Sequence, residues 1–149
     1  MAVGGGGATL HFLKAAPIAL LTAPSGGCTA TKRLPPCIGQ NRELSLENGR
    51  LKKWPVAEIK TLYTAEHNDP DTQAELLDLE VEIDCGDATF MRLYVRGKPM
   101  LYLPAEEKLV LRSPHSYLPL PKKNNRIRLR ILLDRSSLEL YGNGGEMSY

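Results

Sequence analysis

Hydrophobic and polar residues alternate most regularly between residues 77 and 84. Leu77, Leu79, Val81 and Ile83 share one face of an extended chain, and Asp78, Glu80, Glu82 and Asp84 share the other. Period two with one face wholly acidic predicts a half-buried antiparallel strand, expected here over 75–84. The period returns at 88–96, where Met91, Leu93 and Val95 alternate with Phe90, Arg92, Tyr94 and Arg96. It returns again at 126–134, where Ile127, Leu129, Ile131 and Leu133 alternate with Arg126, Arg128 and Arg130. Leu77, Leu79, Val81, Ile83, Leu93, Val95, Ile127, Leu129, Ile131 and Leu133 form the expected core. The arginine row is expected opposite the acidic row, as cross-strand ion pairs on a solvent-facing surface rather than a polyanion site. Each such exposed pair contributes about 0.2–1 kcal/mol.

Shorter strands are expected at 42–46, 50–54, 100–103, 108–112 and 137–141. Asn48-Gly49 tolerates the positive φ of a tight turn and predicts a hairpin between the first two. Val56, Ile59, Leu62 and Tyr63 lie at near-helical spacing, so 55–63 is expected as one short helix or a wrapped connection. Loops are expected at 67–71 and, with three prolines, at 113–125. Many short strands without interleaved helices predict an all-β fold, an antiparallel β-sandwich of jelly-roll or lectin-like type.

Composition changes near residue 41. Residues 1–41 are glycine-rich, contain no Asp or Glu, and hold neither periodicity for more than a few residues. They are expected as an irregular leader, with the sandwich occupying 42–149. Nineteen basic residues against seventeen acidic give a net charge of +2, too small a bias to imply a nucleic-acid or anionic-membrane partner. No apolar run approaches the roughly eighteen residues of a membrane helix. Ala15 to Ala23, with Lys14 before it and Cys28 after it, is a poor signal peptide because Pro17 interrupts it. Cys28, Cys37 and Cys85 cannot all pair with one another; a Cys28–Cys37 bridge is one reading and three thiols the other.

Three blocks resemble the C-terminal domain of glycoside hydrolase family 32, the invertases, levanases and inulinases. One is Arg42-Glu43-Leu44-Ser45-Leu46 with Asn48-Gly49-Arg50-Leu51 and Pro55-Val56 behind it. Another is the acidic strand at 77–84 followed by Leu93-Tyr94-Val95-Arg96-Gly97. The most specific runs from Leu129 to Glu146 and contains Asp134-Arg135-Ser136-Ser137-Leu138-Glu139-Leu140-Tyr141. The resemblance covers about 42–149 and implies a β-sandwich that supports a catalytic propeller without supplying catalytic residues. Its expected partners are such a propeller or a fructan, and members are often secreted. Family members continue with further strands, so the sandwich is expected to be incomplete at its C-terminal end and the chain a fragment. The alternative is a stand-alone carbohydrate-binding module, which needs an exposed aromatic platform in a groove.

Glycoside hydrolysis needs two carboxyl groups flanking the scissile bond. In the family the nucleophile sits in a Trp-x-Asn-Asp-Pro-Asn-Gly block, and Arg-Asp-Pro and Glu-Cys blocks follow. Asn68-Asp69-Pro70 is similar only in its tripeptide: no Trp precedes it and Asp71-Thr72 follows. It reads as a loop start. Asp84-Cys85 is not Glu-Cys, so no catalytic residue is expected. His11, His67 and His115 share no metal-ligand spacing, and no metal or cofactor is expected. Asp134 and Ser136 have no histidine for a triad; they are expected to accept backbone N–H bonds, with Arg135 paired to a carboxylate. Phe90, Tyr94, Trp54, Tyr102, Tyr117 and Tyr141 are weighed as a sugar-stacking surface against half-buried strand packing, with packing favoured.

Overall fold

Along the computed structural model, which describes residues 3–4, 7–17, 42–66, 74–111, 115–135 and 137–149, twelve strands succeed one another. They are β1 (Val3–Gly4), β2 (Thr9–Pro17), β3 (Arg42–Glu47), β4 (Arg50–Pro55), β5 (Leu77–Asp84), β6 (Met91–Val95), β7 (Lys98–Leu103), β8 (Lys108–Val110), β9 (Tyr117–Pro119), β10 (Arg126–Leu133), β11 (Leu138–Gly142) and β12 (Met147–Ser148). A short 3-10 helix, Ala57–Leu62, follows β4 and buries Ile59. One sheet has the order β1-β6-β7-β8-β9, the other β12-β11-β10-β5-β2, and β3-β4 is a separate ribbon. Every pairing is antiparallel.

The two sheets form a sandwich because their inner faces share one core. Met91, Leu93, Val95, Tyr102 and Leu109 from the first sheet join Leu79, Val81, Ile83, Leu129, Ile131 and Leu140 from the second. All ten core positions read from the alternation are buried. The buried Tyr102 hydroxyl is satisfied by donating to the Leu120 carbonyl at 2.8 Å, as a phenol inside a core requires. Asn48-Gly49 turns between β3 and β4 with both residues in the left-handed region, the conformation a two-residue hairpin asks for.

Two expectations need correction. Residues 9–17 are not irregular: β2 pairs with β5 from Thr9↔Asp84 to Pro17↔Leu77, and Ala15 and Ala16 are buried. A bulge shifts the register between Phe12 and Lys14, which breaks the period-two signal that would have revealed the strand. Residues 18–41, with Cys28 and Cys37, lie outside the described residues. Within the expected loop 113–125, Tyr117–Pro119 pairs with β8. Pro119 is tolerated there because β9 is an edge strand.

Candidate functional site

The outer face of the second sheet carries the charged rows, the arginine row lying across from the acidic row as expected, in the register Arg126↔Asp84, Arg128↔Glu82, Arg130↔Glu80 and Leu132↔Asp78. The rows do not share one environment. The β3-β4 ribbon and the 3-10 helix lie over one end and make a second cluster of Ile59, Leu76, Leu132 and Tyr141, with Trp54, Leu62 and Tyr63 packed against it. The ribbon is fastened there by the Lys53 N–H donating to the Gly145 carbonyl at 3.0 Å. Gly145 permits that approach: its φ is +92°, and a Cβ would overlap the Lys53 carbonyl. Arg42 adds an ion pair to Glu139 at 3.3 Å and stacks over Tyr141.

Beneath this cover the solvent-facing expectation fails for Asp78 and Arg130, whose side chains are 0% and 4% exposed. Arg130 donates to Asp78 through Nε at 3.0 Å and Nη2 at 2.7 Å. The Tyr63 hydroxyl donates to Asp78 Oδ2 at 2.5 Å and accepts from Lys14 Nζ at 2.7 Å. Burial, reinforced by the Asp78 carboxylate, pushes the Tyr63 hydroxyl well above the usual tyrosine range. Trp54 stands edge-on to Tyr141 at 5.8 Å, and its ring packs on the Arg130 guanidinium, 5.0 Å from the ring centroid.

Beyond the cover the rows remain open. Arg126 pairs with Glu82 and Asp84 at 3.2 Å each, and Arg128 approaches Glu82 at 3.6 Å. Together with Trp54, Lys123 and Asn124 they line a groove of about 630 Å3. The Asn143 side chain closes its far wall by accepting the Arg128 N–H at 3.1 Å and donating to the Pro121 carbonyl at 2.6 Å. The Gly86 N–H and then Arg126 hold the Asp84 carboxyl below its ordinary range, the opposite of what a general acid of glycoside hydrolysis requires.

The remaining sequence candidates sit apart. Asp134 Oδ1 accepts the Arg135 N–H at 2.5 Å and Arg135 pairs with Glu75, as expected; the Ser136 side chain lies outside the described residues. Arg96 reaches across to donate to the Asp134 and Glu75 carbonyls, so this motif ties two turns together. His67, Asn68, Asp69, Pro70 and Asp71 lie outside the described residues. His11 and His115 are exposed on separate elements, and no metal-holding group of side chains occurs among the described residues. Cys85 is a buried free thiol, raised by that burial. The aromatics divide: Tyr102 and Tyr141 are core, while Phe90, Tyr94 and Tyr117 are exposed. Phe90 and Tyr94, 42% and 40% exposed, stand on the outer face of β6 and its approach.

Sequence reasoning missed Trp54, Tyr63 and Lys14 as members of one cluster. A signal existed in Leu76 and Leu132, apolar residues ending the outward rows where a covering element was needed. Residues 45–149 match the family model described as Glycosyl hydrolases family 32 C terminal. No curated protein and no solved structure matches the chain.

Proposed function

This chain belongs to the C-terminal domain family of glycosyl hydrolases family 32, and on that premise we propose that it is a non-catalytic accessory sandwich of a fructan- or sucrose-cleaving enzyme of the levanase or β-fructofuranosidase type. Its partner in this reading is a family 32 catalytic propeller. The observation that carries the reading is the β3-β4 ribbon. Leu44, Leu46 and Leu51 are 61%, 73% and 55% exposed on it, although Leu46 and Leu51 are cross-strand partners able to form one apolar contact. Clustered apolar exposure of this kind marks a protein–protein surface, and a docking domain would cover it.

The test mixes the purified chain with a purified family 32 catalytic domain and follows association by calorimetry. Binding is expected, and Leu44→Ser with Leu46→Ser is expected to weaken it about tenfold or more while leaving the melting temperature unchanged. Absence of association, or affinity untouched by both substitutions, would overturn the docking reading. The chain alone is expected to release no fructose from sucrose, levan or inulin above buffer. Release that disappears in Asp69→Ala would show that it carries a nucleophile after all.

A further inference from the structure

We propose that the groove beside Trp54 is a binding site for a neutral oligosaccharide, a role independent of docking on a catalytic domain. Three carboxylates, Glu80, Glu82 and Asp84, face three cations, Lys123, Arg126 and Arg128, around it. Three against three leaves no net charge, so the groove has no field to gather a polyanion or a metal ion. It presents donors beside acceptors instead. Arg126 spends Nε on Asp84 and Nη1 on Glu82, both at 3.2 Å. A guanidinium has five N–H donors and a carboxylate about four acceptor sites, so most of this capacity is left for a ligand. Sugar hydroxyls, each both donor and acceptor, match such paired groups.

Trp54 supplies the apolar wall that the C–H face of a sugar ring needs. It is the aromatic side chain lining the groove among the described residues. Its indole is already fixed by Arg130 and Tyr141, so little ordering remains to be done on binding. The volume, about 630 Å3, lies within the range of small-molecule sites. The β5 carboxylates recur at every second residue, about 7 Å apart, which lays the ligand along the strand and favours several linked rings over one. This gives the carbohydrate-binding alternative a definite place on the molecule.

Trp54 is the sole tryptophan, so its emission reports the groove directly. The full chain is titrated with fructose, sucrose and a short inulin-type oligosaccharide, with sulfate as the anionic control. A saturable change in emission is expected with the oligosaccharide, at lower concentration than with fructose. Glu82→Gln and Arg128→Gln are each expected to weaken it about tenfold or more. Their ion pairs are exposed enough that both variants keep the fold, checked by circular dichroism. Arg92→Gln, on the opposite sheet, leaves the affinity unchanged. No saturable change with any of the three sugars would overturn the site, as would affinity unaltered in both groove variants or an equal response to sulfate. Failure of the accessory reading is seen separately, in the association experiment with the catalytic domain.

Discussion

Arg130 and Asp78, 52 residues apart in the chain, meet as a two-pronged ion pair at 3.0 and 2.7 Å beneath the β3-β4 ribbon. The pair joins the neighbouring strands β5 and β10 of one sheet, and Tyr63 and Trp54 attach the helix and the ribbon to it. Removing one member leaves a buried charge without a partner. Asp78→Ala is therefore expected to lower unfolding stability by about 3–5 kcal/mol, measured in urea. The double variant Asp78→Leu with Arg130→Met is expected to lose less than either single change, because no buried charge remains. A loss below about 1 kcal/mol for Asp78→Ala would place this pair among ordinary exposed ones.

The inner faces of β5, β6 and β10 were legible because period two reports burial directly when one face meets the core. The outer face of β5 and β10 was legible in the pairing of its charged rows and not in environment. Alternation says that Asp78 and Arg130 point away from the core, but not that a ribbon from earlier in the chain folds back over them. Strand β2 was hidden by its bulge at Leu13, and Trp54 by its place in a hairpin whose own alternation buries almost nothing. The groove is likewise a product of tertiary placement, since its wall comes from β4 and its floor from β5 and β10.

Strand β2 contributes to the fold although it lies outside the residues matched by the family model. It covers the edge of β5 along its length, buries Ala15 and Ala16, and brings Lys14 to Tyr63. Removal of residues 1–17 is expected to lower the melting temperature and to expose the β5 edge to self-association. Thermal unfolding and size-exclusion chromatography read both effects. An unchanged melting temperature in the truncated chain would show that β2 is an ornament of the sandwich.

Leu129 is fully buried at the centre of β10, facing the opposite sheet within the main core. Leu129→Ala is expected to cost about 2–5 kcal/mol, the loss of transfer energy plus the cavity left behind. Leu44→Ala on the exposed ribbon should change stability by no more than about 0.5 kcal/mol. Equal losses at the two positions, measured by denaturant unfolding, would contradict the assignment of inner and outer faces.

Alkaline pH offers a further test through three tyrosines. Burial is the first cause raising the hydroxyls of Tyr63, Tyr102 and Tyr141, and neighbouring acidic groups, Asp78 for Tyr63 and Glu139 for Tyr141, add to it. A tyrosine in the unfolded chain ionises near pH 10. Above that value the unfolded state gives up protons that the folded state keeps, so stability falls as pH rises. The contribution is whole below about pH 10 and is lost progressively above it. Tyrosinate absorbance from these residues is expected to appear together with the loss of the far-ultraviolet circular dichroism signal. Tyr102→Phe separates this effect from simple weakening. At neutral pH it forfeits the hydrogen bond to Leu120, about 0.5–1.5 kcal/mol, yet its stability should decline less steeply with alkali than that of the unaltered chain. A flat stability profile between about pH 9 and 12, or an equally steep decline in Tyr102→Phe, would show that these hydroxyls are reached by water in the folded protein.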